Sequence, residues 1–239
     1  MSTISHLQLP FQFDIVKLLR DYSLVVNQDW IPHFNTSGYT GEWKAIPLYS
    51  SSGDTSNIFA FQNNNKAVLE TPIMNDCKYF KEVISSIKSP ILSARLLRLG
   101  TGAEIKPHRD YKLGYEDGNF RLHIPIITNN NVQFLLNDVQ LKMLPGECWY
   151  TNVNFIHSVA NYGKEDRIHL VIDAERNEWS DALFFSLSSK ESFQPIQEEI
   201  ESPKTIRLMI EELKLQNTSV SQQLIIELEQ KLQQNNPNS

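Results

Sequence analysis

From Ile91 onward the chain is cut into short runs of alternating polarity, and this pattern restricts its fold more than any other feature. "ILSARLLRL", "RLHIPIIT", "NVQFLLND", "VQLKML", "ECWYTNV", "HSVAN" and "RIHLVID" are separated by stretches such as "GTG", "NNN", "ND", "LPGE" and "NYGKED". A period of two sends successive side chains to opposite faces of a strand. Repeated short strands with closely spaced turn signals predict a β-sandwich or barrel. Upstream the period is helical. "FDIVKLLRDYSLVV" puts Ile15, Leu18 and Leu19 on one face behind an Asp14 N-cap, and "NDCKYFKEVISSIKS" turns Phe80, Val83 and Ile84 inward behind Asp76. Between them, "WIPHFNTSGYTGEWKAIPLYSSSGD" reads as loop and short strands. Helices first and strands later give an α+β class with a mainly β core, and the absence of GxGxxG or a P-loop counts against a nucleotide-binding sheet.

The tail has a different character. Residues 1–189 are expected to form one domain around the strand core, and 190–239 a C-terminal helical appendage with a polar end. Ser202 and Pro203 open a helix whose Ile206, Met209, Ile210 and Leu213 share a face, and Leu224, Ile225, Leu228 and Leu232 form a second stripe. Two such stripes predict a helical hairpin over the barrel that shapes substrate access. The 239 residues suffice for a full core, and a net charge of −6 argues against nucleic acid or anionic membrane as partners. Cys77 and Cys148 lack zinc-site spacing, and Cys148 reads as a small buried hydrophobe. With no leader-like segment and no long apolar run, the expected location is the cytoplasm; oligomeric state is not legible.

One motif invites chemistry. "PHRD" follows a strand and a turn, so alternation sends His108 and Asp110 to one face; His157 opens another strand far downstream. Two imidazoles and one carboxylate would leave three positions of a non-heme iron open. "NYGKED" predicts that the His157 and Arg167 strands pair antiparallel, with Arg167 deep beside the metal. Alternation places Arg167, His169, Val171 and Asp173 opposite Ile168, Leu170 and Ile172, and Arg121 and His123 opposite Leu122, Ile124 and Ile126. An apolar core does not accommodate two inward guanidinium groups; a pocket for a dicarboxylate does, because arginine binds carboxylates through paired charged hydrogen bonds. Arg95 and Arg98 fall on opposite strand faces, Trp43 reads as core, Arg109 points away from the metal, and His6 and His33 have no partner spacing.

"LLRLGTGAEIKPHRD", "GNFRLHIPI" and "LPGECWYTNVNFIHSVANYGKEDRIHLVID" resemble the aspartyl/asparaginyl β-hydroxylase family of Fe(II)/2-oxoglutarate-dependent oxygenases, in particular its bacterial proline-hydroxylase-like branch, over residues 8–175. The resemblance implies a double-stranded β-helix, the jelly-roll or cupin-like fold, with iron held by His108, Asp110 and His157. It implies that Arg167 takes the distal carboxylate of 2-oxoglutarate, that Arg121 and His123 assist at the cosubstrate or the substrate, and that Arg95 serves the substrate. The implied activity is O2-dependent hydroxylation of an unactivated C–H bond, releasing succinate and CO2. The implied substrate is an amino acid, either free, such as proline, or an aspartyl/asparaginyl-type residue in a peptide. Vertebrate peptide hydroxylases of the family lack a carboxylate at the position of Asp110, so this chain looks bacterial. Asp110 also argues against a halogenase, which needs that coordination position for chloride. The rival readings are a noncatalytic jelly-roll module that binds a small anion, and a metal enzyme of the same fold that does not use 2-oxoglutarate. The complete triad argues against the first and the two arginines against the second.

Overall fold

The computed structural model describes residues 3–59, 68–195 and 203–216, with isolated positions beyond. β1 (His6–Gln12), α1 (Ile15–Val25), β2 (Ile31–Pro32), β3 (Tyr39–Thr40), β4 (Trp43–Ser50), β5 (Leu69–Glu70) and α2 (Lys78–Ser86) come first. The strand-rich part follows as β6 (Ile91–Leu99), β7 (Glu104–His108), β8 (Asn119–Ile127), β9 (Val132–Leu136), β10 (Val139–Leu141), β11 (Glu147–Thr151), β12 (His157–Asn161) and β13 (Arg167–Glu175). α3 (Glu178–Leu187) closes that part, and α4 (Pro203–Gln216) lies beyond it.

One sheet runs β1-β11-β8-β13-β6-β4-β2 with β5 beside β4, and the other runs β10-β9-β12-β7-β3. From β6 to β13 the chain crosses between the two sheets at each connection, except at the β9–β10 hairpin. Asn137 and Asp138, both at positive φ (50° and 61°), make that hairpin a tight two-residue turn of the kind strand twist favours. Alternate crossing with antiparallel pairing is the double-stranded β-helix, so the α+β, mainly β class holds.

The large sheet is buried on both faces. Outward-facing Leu122, Ile124, Ile168, Leu170 and Ile172 pack against Leu18 of α1 and Phe80, Val83 and Ile84 of α2 in one cluster. Fully burying a side chain of this kind contributes about 1.5–3 kcal/mol. The inward faces meet over Trp43, Leu99, Ile105, Phe134, Leu136 and Val159. Beside that cluster lies a buried polar set: Arg95, Arg121, His123, Arg167, His169 and Asp173. The alternation read in "RLHIPI" and "RIHLVID" therefore sorts polar residues into the barrel and aliphatic residues towards the helices.

Several local expectations need correcting. His157 and Arg167 do not lie on paired strands: β12 pairs with β7 and β9 in the small sheet, whereas β13 pairs with β6 and β8 in the large one. "NYGKED" carries the chain across the barrel instead of turning it back on its neighbour. α1 begins as expected, with Asp14 accepting from the N–H groups of Val16 and Lys17 at 2.9 and 3.2 Å. Its buried face is Leu18, Asp21 and Val25, while Ile15 and Leu19 remain 37% and 39% exposed. Asp76 does not cap α2. Asp21 does so from α1, accepting from Tyr79 and Phe80 N–H at 2.6 and 3.0 Å. β4 is a full eight-residue strand against β6. β1 is an edge strand that accommodates Pro10 where its register shifts.

Cys77 and Cys148 are free and buried. Among the described residues no helix is long and apolar enough to cross a membrane. The chain divides into two units, Met1–Pro195 and Ile196–Ser239. In the second, Ile206 and Ile210 are buried along α4. In the expected partner stripe, Ile225, Leu228 and Leu232 are helical and half-buried, while Leu224 lies outside the described residues, as does the side chain of Met209.

Candidate active site

β7 and β12 are neighbours, with His108 and His157 directly opposite in the register and a bulge just beyond. Their rings lie 4.2 Å apart between centroids. The loop after β7 bends Asp110 back to them, held by its own N–H donating to Val153 O at 2.9 Å. Asp110 Oδ1 then stands 3.8 Å from His108 Nε2. One ligand atom from each of the three residues lies within 4.8 Å of the others, and among the described residues no second group of this kind occurs.

The backbone decides which nitrogen each imidazole offers. His108 Nδ1 sits 2.8 Å from Lys106 O, and His157 Nδ1 sits 3.1 Å from Phe155 O. A carbonyl only accepts, so both Nδ1 atoms carry a proton, and in the neutral ring the lone pair falls on Nε2. Burial, followed by the neighbouring His108, pushes His157 down to about 4. At Asp110 burial alone would raise the pKa, but the Arg121 charge and then the two histidines outweigh it and bring the carboxyl to about 2. Neutral imidazole and ionised carboxylate are the forms a divalent cation requires. The donor set fits Fe(II), a metal suited to imidazole and carboxylate without thiolate.

Behind the triad runs a buried ion network. Arg121 donates to Asp110 Oδ2 at 2.5 Å and to both oxygens of Asp173 at 2.7 and 3.2 Å. Asp173 also accepts from Arg95 Nη2 and Ser93 Oγ, each at 2.9 Å, and Arg95 Nη1 donates to Ile58 O at 3.0 Å. Arg95 and Arg121 thus both reach the triad side, each fixed by Asp173. In front of them a cavity of about 410 Å³ opens, with His33, Trp43 and Phe34 on one wall and His108 and Asp110 on its floor. His33 stacks on Trp43 with centroids 3.5 Å apart and planes 10° apart. Burial, then the charge of Arg95, lowers its pKa to about 4, so the stacked ring is neutral. Trp43 is core, as expected, and lines the cavity as well; His33 carried no spacing signal, because it reaches the cavity through the pairing of β2 with β4. Arg109 also lines this cavity, although the strand pattern points it away.

Arg167 faces a second cavity, of about 240 Å³, together with His169 and Phe134. It is 2% exposed, Nη2 lies 2.8 Å from His169 Nδ1, and Nε has no partner. The guanidinium lies 5.6 Å from the Phe134 ring centroid. With no carboxylate opposing it, burial lowers its pKa to about 9. A buried cation left uncompensated in this way is a place prepared for an anion. His123 sits behind, its Nδ1 3.4 Å from His169 Nδ1.

Residues 14–177 match the family model described as aspartyl/asparaginyl beta-hydroxylase. The chain belongs to this family. Among the family's curated relatives, the L-proline cis-4-hydroxylase of Rhizobium meliloti (strain 1021) is 28% identical over 166 residues, covering 69% of this chain and 58% of that protein. The L-proline cis-3-hydroxylase 2 of a Streptomyces species is 24% identical over 173 residues, covering 71% of this chain and 59% of that one. The chain therefore spans somewhat under two thirds of the length of the relatives it matches. Both are bacterial proline hydroxylases, in keeping with the branch indicated by the sequence resemblance.

Proposed function

We propose that this protein is an Fe(II)- and 2-oxoglutarate-dependent dioxygenase that hydroxylates an unactivated C–H bond of an amino acid, free like proline or within a peptide. The observation that carries this reading is the pairing of a His-Asp-His set, its two Nδ1 atoms held by backbone carbonyls, with an unopposed buried arginine that lines a second cavity of the same barrel. His108 Nε2, Asp110 Oδ1 and His157 Nε2 would hold the iron. When bound, it supplies oxygen activation coupled to decarboxylation of the oxo acid, yielding succinate and CO2. Arg167 would take the distal carboxylate of 2-oxoglutarate, with His123 supporting that side of the barrel.

On the other side, Arg95 is the candidate for a substrate carboxylate, with His33 and Trp43 walling the substrate's body. Holding the target carbon in place removes much of the entropic barrier. Arg121 acts on Asp110 by orienting it. The test is a panel of free amino acids and short peptides, scored by succinate formation and by a product mass increase of one oxygen atom. Proline and other free amino acids unchanged, with peptides hydroxylated, would redirect the substrate assignment. No succinate with any substrate, in iron-loaded protein, would overturn the reading.

A further inference from the structure

His169 is two residues from Arg167 on β13, 2% exposed, and lines the same cavity. Its protonation follows from its neighbour. A guanidinium has only donors, so the 2.8 Å contact between Arg167 Nη2 and His169 Nδ1 requires an unprotonated Nδ1. Burial and the Arg167 charge keep the ring neutral, with a pKa well below the ordinary histidine value. The single ring proton must then be on Nε2, and that buried N–H has no partner; nor has Arg167 Nε. Buried donors are rarely left unpaired. Here two of them, on adjacent inward positions of one strand, border a cavity whose described lining includes Lys142 and no acidic side chain.

We infer that His169 is a binding residue for the distal carboxylate of a 2-oxo dicarboxylate, donating from Nε2 beside Arg167 and setting the preference for dicarboxylate over monocarboxylate oxo acids. The inference rests on the reading of Arg167 given above. One carboxylate accepts from both residues and neutralises the single arginine charge. The neutral histidine adds a directional hydrogen bond without a second cation to compensate. An oxo acid that ends in a methyl group leaves both donors unpaired, and a site built to hydrogen-bond rejects such an analogue strongly.

The experiment measures binding by calorimetry on manganese-loaded protein without turnover, comparing 2-oxoglutarate with 2-oxobutyrate. In His169→Leu, 2-oxoglutarate should weaken on the order of tenfold to a hundredfold, the range for a hydrogen bond to a charged group, while 2-oxobutyrate is unaffected. His169→Gln, whose amide can both accept from Arg167 and donate to the ligand, should recover most of the loss. Equal weakening of both oxo acids, or wild-type 2-oxoglutarate affinity in His169→Leu, overturns the inference.

A second arm uses the wild-type chain, so it does not depend on a variant folding. In zinc-loaded protein labelled with ¹⁵N-histidine, the His169 Nε2–H resonance should move on addition of 2-oxoglutarate, and an unmoved resonance overturns the assignment. Arg167→Ala separates the two claims. Selectivity lost there but retained in His169→Leu removes only the histidine, whereas selectivity retained in Arg167→Ala removes both.

Discussion

Arg121 holds one oxygen of Asp110 and leaves the other free. Its Nη1 donates to Oδ2 at 2.5 Å, while Oδ1 faces His108 Nε2 at 3.8 Å. The same guanidinium is anchored by Nε to Asp173 Oδ1 at 2.7 Å, inside the barrel where Asp173 is fully buried. Asp110 can therefore present a single oxygen to a cation, which keeps further coordination positions open.

Asp173 is the anchor of this arrangement, so Asp173→Asn should loosen Arg121 and Arg95 together. Breaking a buried ion pair from one side typically costs about 3–5 kcal/mol. Denaturant unfolding should show a loss of that order, and titration with Mn(II) should show weaker binding than wild type. Unchanged stability and metal affinity would mean that the network does not position Asp110.

His108→Ala and His157→Ala each remove one of the two imidazole ligands of the His-Asp-His group. Metal stoichiometry after anaerobic loading with Fe(II), measured by elemental analysis, should fall far below one per chain in both. Full occupancy in both variants would place the metal elsewhere.

Arg167→Lys keeps a positive charge but loses the planar fork. Losing part of a buried bidentate charged contact should cost about 2–5 kcal/mol of 2-oxoglutarate affinity. Calorimetry on manganese-loaded protein reads this directly, and affinity within a factor of about two of wild type would show that a point charge suffices.

His33 offers a pH test outside the triad. Its folded pKa, about 4, lies below the ordinary 6.5. Below pH 6.5 the unfolded chain takes up a proton that the folded ring resists, so this histidine's contribution to stability is present above 6.5 and is lost as pH falls towards 4. His33→Phe keeps a ring against Trp43 and removes the titration. Its metal-free stability should fall less steeply than wild type's between pH 6.5 and 4; parallel curves would assign the slope to other groups.

What the sequence determined by itself was whatever repeats within one element. A period of two in "RLHIPI" and "RIHLVID" was enough to place Arg121, His123, Arg167 and His169 on one side of their strands and the aliphatic residues on the other. The Asp14 cap was legible because a capping side chain bonds N–H groups only two and three residues away. His108 and Asp110 were legible as a pair because they lie two residues apart, although the strand ends at His108 and the loop bond from Asp110 N–H to Val153 O, rather than alternation, turns the carboxylate to the site.

Tertiary structure decided what depends on which elements meet. The cap of α2 comes from Asp21 on another helix and not from nearby Asp76, because a buried carboxylate needs donors and the start of α2 supplies two. β12 and β13 are consecutive in sequence yet sit in opposite sheets, because closing the barrel requires the connection to cross it. His33 and Trp43 become a cavity wall only once β4 pairs with β6. Local alternation sets which way a side chain points; only the packed barrel sets what it faces, since contacts between distant segments leave no period in the chain.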